Sequence, residues 1–421
     1  MRKMKDSGVE WIGEIPEDWE ITTYRRLLNR RKEYDDQDKQ VLSLTIQGVK
    51  VKNENYGKMA EDFTGHQIVK QGDLVFTPRD FDATPILSGI APCDGCISNL
   101  YFVLYPHNLS ETFIPFINYF MWGVKWGGDI WKRLSYGMRF SYNFQQFGAL
   151  PIAVPPIDTQ RRIADFLDDK CGKIDRYIEK QQKIIDKLKE YKQAVITEAV
   201  TKGLDPDVPM KDSGIEWIGM ILEHWDIPEI KYLVRIASGG TPDRNHPEYW
   251  NGNIPWIKTG ELQNDIITNA EEYITEEGLN NSSAQVFNIN TILVAMYGQG
   301  KTRGMTALLK TPASTNQACA GLTVTNSNVQ IEYLWQCLIG AYDAIRSEAA
   351  GSGQPNLSAT LIGSFHIALP PIEEQGLIVE YIKDRTVEIK STIHKAEKLL
   401  EKLTEYKKSL IYEAVTGKME V

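Results

Sequence analysis

One segment of the chain combines a lysine and a glutamine with closely spaced glycines. Ala295–Thr302 (AMYGQGKT) follows a strand-like apolar run and ends in Gly-Lys-Thr, as a phosphate-binding P-loop does. A P-loop needs glycine at both ends, because its backbone N–H groups wrap the phosphates, and it opens a helix. Here Ala295 stands at the first position, and the following residues, RGMTALL, favour a strand. Nucleotide hydrolysis by an enzyme with this imperfect P-loop is therefore a less favoured alternative.

A second pattern with possible chemistry is the Cys-x-x-Cys pair Cys93 and Cys96. A structural zinc site needs a second pair of ligands nearby, and the sequence contains none. Five cysteines spread thinly over 421 residues are typical of a reducing cytosol and not of a disulfide framework. We therefore expect no metal site and a cytoplasmic protein.

Composition limits the kinds of partner that the chain can bind. With 47 Lys and Arg against 56 Asp and Glu, the net charge is −9, which argues against coating nucleic acid through bulk positive charge. Any contact with nucleic acid must then be local. The most apolar stretch, Phe113 to Trp126, contains Pro115, Asn118 and Lys125, so we expect no membrane contact.

The chain contains an internal repeat. Met4–Gly13 (MKDSGVEWIG) returns as Met210–Gly219 (MKDSGIEWIG) with one Val/Ile exchange. A second match pairs PPIDTQ from Pro155 with PPIEEQ from Pro370, and it continues without gaps to the tetrapeptide EAVT at Glu198 and Glu413. The repeated unit therefore consists of a head, a block of variable sequence, a proline pair and a long helix.

The two variable blocks have short strand-like runs, broken by Gly, Pro and Asn, and a few apolar helical stretches. We predict a mixed α/β (α+β) fold for each. The predicted segments are a head with the first block (1–154), the first long helix with a linker (155–209), a head with the second block (210–369), and the second long helix (370–421).

The two long helices carry apolar residues at alternating steps of four and three. The steps keep the same register in both helices, which predicts that the helices pair in a coiled coil. Two unrelated amphipathic helices on separate cores would not need equal register. The seam residues are Leu167, Ile174, Ile178, Ile185 and Leu188 in the first helix, and Ile382, Ile389, Ile393, Leu400 and Leu403 in the second.

A further apolar stripe adjoins this seam and makes the face wider than two strands require. We expect additional helices to cover it, either from the flanking blocks or, as we favour, from partner subunits. The stripe consists of Ile163, Tyr177, Ile184 and Tyr191 in the first helix and Ile378, Leu399 and Tyr406 in the second.

These features together resemble the specificity subunit of type I restriction–modification systems. The resemblance rests on the repeated SG[VI]EWIG head followed by a tryptophan, the two dissimilar α/β blocks, and PPI-x-x-Q leading into a long helix that ends in EAVT. In the second block, Ser238–Leu262, Tyr297–Gly304 and Thr315–Gly321 are similar to recurring features of that family's target recognition domains.

The resemblance implies a non-catalytic reader of double-stranded DNA. Each block would read one half of a split, asymmetric site, and the long helices would form an antiparallel coiled coil that separates the blocks. The seam from Leu167 to Ala199 spans roughly 50 Å, enough for two readers about 34–36 Å apart. Two methyltransferase subunits and two restriction (translocase) subunits would be the partners. S-adenosylmethionine, ATP and magnesium would belong to those partners, with no cofactor in this chain.

Reading bases needs Arg, Lys, Asn or Gln side chains on loops that reach a DNA groove, while phosphates accept contacts from basic or small polar groups. For any single residue the alternative is a solvated loop or local turn capping. The candidates in the second block are Thr241, Arg244, Lys258, Gln299, Lys301, Arg303, Gln354 and Asn356. Those in the first block are Arg79, Arg133, Tyr136, Arg139 and Asn143.

Three other interpretations stay open at this level. The basic run Arg25, Arg26, Arg30, Arg31 and Lys32 fits an exposed helix face better than a phosphate-contacting face. A fused methyltransferase is not favoured, because the sequence has no NPPY-like tetrapeptide. A coiled-coil interaction scaffold that does not bind DNA is favoured slightly by the low bulk charge, and the base-reading residue types on paired loops count against it.

Overall fold

The computed structural model describes residues 3–34, 40–52, 65–81, 85–135, 140–298, 300–348 and 356–421. The chain forms two compact units. Unit 1 comprises residues 1–183 and 397–421, and unit 2 comprises residues 184–396. Tyr136, Arg139, Gln299 and Gln354 lie outside the described residues. The segment boundaries predicted from the repeat stay a prediction.

Unit 1 is built on a four-stranded antiparallel sheet. The strands lie in the order Leu28–Arg31, Phe102–Pro106, Leu74–Phe76 and Ser88–Ile90. Leu74, Val75 and Phe76 are all buried, which explains why this strand has a continuous apolar run and no alternation. Further strand pairs are Met4–Asp6 with Glu14–Pro16, Glu20–Thr23 with Pro151–Val154, Leu42–Thr45 with Gly48–Val51, and Gln67–Val69 with Gly95–Ile97.

The helices of unit 1 pack on this sheet through aromatic side chains. Ile114–Trp126 is the longest helix of the block, and Tyr24–Leu27, Ile130–Arg133 and Phe144–Ala149 are short. Phe76 lies 4.9 Å from Phe147 and 5.0 Å from Trp131, measured between ring centroids. Trp19 of the head is fully buried against Phe116, so this tryptophan anchors the head in the core.

Unit 2 has a five-stranded sheet. Relative to their positions along the chain, its first four strands lie in the same order as the four strands of the sheet in unit 1. The order is Val234–Ser238, Cys319–Val324, Ile292–Ala295, Thr306–Leu309 and Asp265–Ile267, and only the last pair is parallel. A second sheet contains Glu272–Ile274, Trp250–Ile257 and Ser314–Thr315, and the head hairpin pairs Met210–Asp212 with Met220–Leu222.

In unit 2 the helix Ile331–Gly340 packs on the strand Thr306–Leu309 and shares a core with one face of the five-stranded sheet. The α-helices of the block are Glu276–Asn280, Ile331–Gly340, Tyr342–Glu348 and Ala359–Ser364, with 3₁₀ turns at Ile230–Tyr232, Pro247–Tyr249 and Thr259–Glu261. Trp225 of the second head is fully buried in the core, as Trp19 is in unit 1.

Two long helices supply part of both units. The first long helix is Ile157–Lys202 and the second long helix is Ile372–Val415. In unit 1, Leu167 and Ile174 of the first long helix share a core with Leu410 and Ala414 of the second. In unit 2, residues near the end of the first long helix, such as Ile196, share a core with Ile378 and Ile382 near the start of the second.

Early residues of one helix thus pack against late residues of the other in each unit, which is an antiparallel coiled coil. All ten predicted seam residues are buried or half-buried. The adjoining stripe divides into two parts. Ile163 and Ile378 are 2% exposed, whereas Tyr177, Ile184, Tyr191, Leu399 and Tyr406 are exposed. The flanking blocks therefore cover only the ends of this stripe.

The basic run in the first block does not form the expected helix face. Arg25 and Arg26 are exposed on the short helix Tyr24–Leu27, but the chain then enters the strand Leu28–Arg31. Arg31 is 9% exposed, and its guanidinium donates to both carboxylate oxygens of Asp73 at 2.8 and 3.1 Å. The ion pair satisfies a buried charge, so Arg31 is a core residue and not a surface cation.

Among the described residues, no helix is long and apolar enough to cross a membrane.

Candidate nucleic-acid interface

In unit 2, three strands end or begin at the same end of the sheet. Ser238 pairs with Ala320, and Ala295 pairs with Cys319, so the segments that follow Val234–Ser238 and Ile292–Ala295 emerge beside the segment that precedes Cys319. The parallel pair Ile257 and Thr315 brings the end of a fourth strand to this place. Most candidates of the second block lie on these segments.

The glycine-rich turn after Ala295 is held by two side chains from the helix Tyr342–Glu348. Tyr342 Oη donates to the carbonyl oxygen of Lys301 at 2.6 Å, and Arg346 donates to the carbonyls of Gly300 and Arg303 at 2.9 and 2.7 Å. Gly300 has φ +60°, which favours glycine at this position. The turn is therefore fixed by its backbone, and the Lys301 side chain is exposed while Arg303 is half-buried.

This turn does not have the surroundings of a P-loop. Residues 301–305 form further turns, and the chain then enters the strand Thr306–Leu309, as the sequence predicted. The lysine of a P-loop lies instead at the start of a helix whose N-terminal dipole faces the phosphates. Nucleotide binding at Ala295–Thr302 is therefore not favoured by this geometry.

A second loop lies beside the glycine-rich turn. The backbone N–H of Leu357 donates to the carbonyl oxygen of Met296 at 3.0 Å, which places exposed Asn356 next to the turn. Ser358 Oγ accepts from the N–H of Leu361 at 3.1 Å and so caps the helix Ala359–Ser364.

Thr241 lies at the same end of the sheet and is joined to a residue that sequence reasoning missed. The Thr241 hydroxyl donates to Oε1 of Gln317, an exposed side chain in the TNQACAG segment. Because Oε1 is engaged, the amide NH₂ of Gln317 is directed to other acceptors. The segment itself was recognisable in the sequence, and Gln317 is its longest polar side chain.

Two other candidates of unit 2 have local acidic partners. Arg244 Nη1 lies 2.7 Å from Glu272 Oε2, and the guanidinium lies 3.6 Å from the ring centroid of Trp250. Lys258 Nζ lies 2.9 Å from Glu271 and 3.0 Å from Glu272. Hydrogen bonds from Arg244 and Lys258 lower the pKa of the Glu272 carboxyl. This cluster neutralises part of the positive charge that the sequence alone had assigned to DNA contacts.

Unit 1 shows the same relationship between the corresponding loops. Arg79 follows the strand Leu74–Phe76 and is half-exposed. The backbone N–H of Tyr142 donates to the carbonyl oxygen of Pro78 at 2.8 Å, which brings the segment before the helix Phe144–Ala149 next to Arg79. This bond corresponds to the one between Leu357 and Met296 in unit 2.

The other two described candidates of unit 1 have different surroundings. Asn143 Oδ1 accepts from the N–H of Gln146 at 2.8 Å, and Gln146 Oε1 accepts from the N–H of Asn143 at 2.9 Å, which is a capping box. Asn143 therefore has the local capping role that the sequence left open. Arg133 is exposed at the last position of the helix Ile130–Arg133.

Several candidates, together with Gln317, are donors on loops at one end of the sheets. Lys301, Gln317 and Asn356 in unit 2, and Arg79 in unit 1, offer the N–H groups that base edges and phosphates accept. Because the backbone of the glycine-rich turn and the capped segments is fixed by hydrogen bonds, these side chains start from defined positions. The arrangement is chemically suited to contacts with a polar, anionic polymer.

Comparison with known proteins finds a matching domain and related sequences. Residues 223–402 match the model of the type I restriction modification DNA specificity domain. The chain is 31% identical over 183 residues to the type I restriction enzyme EcoR124I/EcoR124II specificity subunit of Escherichia coli, and 31% identical over 195 residues to the MjaIX specificity subunit of Methanocaldococcus jannaschii. These alignments cover 41% and 44% of this chain and 45% and 43% of the relatives, so the chain spans less than half the length of either.

The fold extends the similarity over the whole chain. A solved chain from a study of complex assembly and conformational transition of the type I R-M system superposes with a TM-score of 0.67 and covers 96% of this chain and 99% of that chain. Its sequence identity is 12%, so this likeness concerns the fold alone. The matched domain and the related sequences are those of type I restriction–modification specificity subunits, and this chain is similar to them.

Proposed function

We propose that this chain is the DNA sequence-recognition subunit of a type I restriction–modification complex and that it reads a bipartite, asymmetric site. The observation that carries the proposal is the pairing of loops at one end of each sheet. In both units a backbone hydrogen bond joins the loop after the central strand to the segment that caps a short helix, from Tyr142 to Pro78 and from Leu357 to Met296. Each pair of loops would face one DNA half-site.

The two half-sites would differ in sequence because the loops carry different side chains. Arg79 stands on the first loop of unit 1, whereas Lys301 and Arg303 stand on the glycine-rich turn of unit 2. Gln317, joined to Thr241, has no counterpart among the candidates of the first block. A reader with two unlike ends favours an asymmetric target over a palindrome.

The coiled coil would set the distance between the half-sites. The first long helix has 46 residues, and at 1.5 Å per residue it is about 69 Å long. Two readers that contact the same face of DNA one turn apart are separated by about 34–36 Å. Helices of this length are sufficient for such a spacer, which makes spacer length a property of the helices and base preference a property of the loops.

The exposed part of the apolar stripe would bind the methyltransferase subunits. Tyr177, Tyr191 and Tyr406 are 62%, 57% and 58% exposed although they adjoin a coiled-coil seam. Large apolar side chains in a row on a helix are typical of an interface with another helix. We propose two methyltransferase and two restriction subunits as partners, which would carry S-adenosylmethionine, ATP and magnesium.

The role of this chain would be non-catalytic. Its relatives are named specificity subunits of restriction enzymes. Adenine methylation and ATP-dependent cleavage would then be activities of the assembled complex and of its other subunits.

The proposal is tested by expressing the chain with its methyltransferase subunits in a bacterial host that lacks adenine methylation. Mapping the methylated adenines in the host genome should give one split motif with two unlike halves. Binding of the complex to duplexes with this motif should weaken steeply with rising salt, because phosphate contacts release counterions. Methylation without a split motif, or none in a complex that assembles, would contradict the proposal.

A further inference from the structure

The glutamine of the PPI-x-x-Q motif joins each block to its long helix. In unit 2, Gln375 is fully buried in the first turn of the second long helix. Its Oε1 accepts from the backbone N–H of Gln330 at 2.8 Å, and its Nε2 donates to the carbonyls of Asn328 and Pro370, each at 2.8 Å. Gln330 is the N-cap residue of the block helix Ile331–Gly340.

Gln160 makes the same set of bonds in unit 1. It is fully buried, its Oε1 accepts from the N–H of Phe113 at 2.9 Å, and its Nε2 donates to the carbonyls of Glu111 and Pro155 at 2.8 and 3.0 Å. Phe113 is the N-cap residue of the block helix Ile114–Trp126. The N–H of each N-cap residue has no acceptor within its own helix, and the glutamine supplies one. Each glutamine therefore links a block helix to the start of a long helix.

The other end of each block helix touches the other long helix. In unit 2, Gln193 Nε2 and Thr197 Oγ1 donate to carbonyls at the end of Ile331–Gly340, at 2.7 Å to Ile339 and 3.0 Å to Gly340. In unit 1, Gly127 follows the end of Ile114–Trp126, and a Cβ at Gly127 would lie 2.3 Å from the ring of Tyr412. Both ends of each block helix are thus fixed on the coiled coil.

Recognition of a single spacer length requires that each block keep a fixed position on the coiled coil. One base pair changes the separation of two half-sites by about 3.4 Å and their relative rotation by about 35°. If a block moved relative to the coiled coil by these amounts, the complex would also bind sites whose spacer is one base pair shorter or longer. The buried amides supply rigid, directional bonds where apolar contacts alone would allow sliding.

We infer that Gln160 and Gln375 are positioning residues that restrict the spacer length accepted by the complex, an inference that rests on the proposed DNA-reading function. The amide acts through the block helix and not through contact with DNA. An amide suits this place because the side chain must accept one N–H and donate to two carbonyls. An ionised glutamate offers no donor, and a methionine offers no donor and only a weak acceptor.

The experiment uses the full chain assembled with its methyltransferase subunits and duplexes carrying the mapped half-sites. The spacer is the native length or is changed by one base pair in either direction, and Kd is measured for each duplex. The variants are Gln375→Met, Gln375→Glu and Gln160→Met. The matched control is Thr392→Ala, which removes an exposed hydrogen bond from Thr392 Oγ1 to the carbonyl of Glu388 within the second long helix and leaves the joint intact.

We expect the ratio of Kd values between altered and native spacers to fall by about tenfold or more in the glutamine variants, the effect of losing one to two net hydrogen bonds. The control should keep the wild-type ratio, and scrambling either half-site should weaken all proteins alike. An unchanged ratio in variants that assemble would overturn the inference. Failure of all three variants to fold would also overturn it, because the amide would then serve folding. Absence of any split motif for the wild type would refute the proposed function itself.

Discussion

Lys407 Nζ lies 2.6 Å from Asp175 Oδ1, so a seam position of the second long helix pairs with the first long helix. Lys192 and Lys407 occupy equivalent seam positions of the two long helices. Lys407 is 25% exposed and Asp175 is 56% exposed. A polar pair at one seam position fixes register and direction in a coiled coil, because other alignments leave the charge without a partner.

Charge reversal at this pair should show coupling between the two helices. Asp175→Lys and Lys407→Asp should each lower the free energy of unfolding by about 1 kcal/mol, because each places like charges together at a partly exposed site. The double exchange should recover at least half of the combined loss. Midpoints of urea unfolding for the four proteins measure this. Strictly additive losses would mean that the helices do not pair at this point in solution.

The other seam lysine, Lys192 in unit 2, predicts a pH dependence. Burial lowers the pKa of Lys192, and the charge of Lys390 lowers it further, although Asp265 acts in the opposite direction. The unfolded chain therefore binds more protons than the folded chain between the lowered pKa and about 10.4, so the contribution of Lys192 to stability rises with pH in that window.

Replacing Lys192 by methionine should remove this dependence. Lys192→Met should raise the free energy of unfolding at pH 7 by about 1 kcal/mol through apolar burial in the seam. Its advantage over the wild type should shrink as the pH approaches about 10. Lys187→Met, on the exposed face of the same helix, is the control and should give no gain. If the stability gain of Lys192→Met is the same at pH 7 and pH 10, the charge of Lys192 does not destabilise the folded chain.

Two lysines lie at opposite ends of the same strands of unit 2. Substituting each of them distinguishes the effect of a DNA contact from the effect of losing one positive charge. Lys301 is exposed on the glycine-rich turn, whereas Lys310 lies beyond the strand Thr306–Leu309 and pairs with Asn290 and Glu332. Lys301→Ala should weaken binding of the complex to its site by about tenfold and reduce the salt slope by about one. Lys310→Ala should change neither in salt titrations of Kd. Equal effects of both changes would exclude the turn as the contact surface.

Substitutions in the loops of unit 1 should affect recognition of only the other half-site. Arg79→Ala should weaken recognition of the half-site that Lys301→Ala leaves intact, by about 1–3 kcal/mol if the arginine reads a base. Lys70, exposed in the turn before the strand Leu74–Phe76, provides the control substitution Lys70→Ala. Competition with duplexes in which one half-site is scrambled distinguishes the two halves. Loss of both half-sites on a single substitution would contradict independent readers.

The sequence predicted the features that depend on local periodicity or on repetition. The heptad steps from Leu167 predicted the buried seam, and RGMTALL predicted the strand Thr306–Leu309. The loops at Asn143 and Asn356 lie at equivalent places before the two proline pairs, and each precedes or begins a capped helix.

Features that depend on distant partners were not accessible from the sequence. Arg31 is buried because Asp73, 42 residues away, completes its ion pair. Lys258 meets Glu271 and Glu272 only after the strand Trp250–Ile257 pairs with Glu272–Ile274. The roles of Gln160 and Gln375 were hidden for the same reason, since their partners lie 45 to 49 residues earlier in the chain, apart from the prolines of the motif itself.

The measurement that tests the account most directly is a methylation map of a complex whose two long helices have been lengthened. Seven residues, one heptad, are inserted after Gln181 and after Ala396, which are equivalent positions in the two repeats. The insertion lengthens each helix by about 10.5 Å. The account predicts a methylated motif with both half-sites unchanged and a spacer longer by about 3 base pairs. Altered half-site bases, or an unchanged spacer in a complex that still methylates DNA, would contradict it.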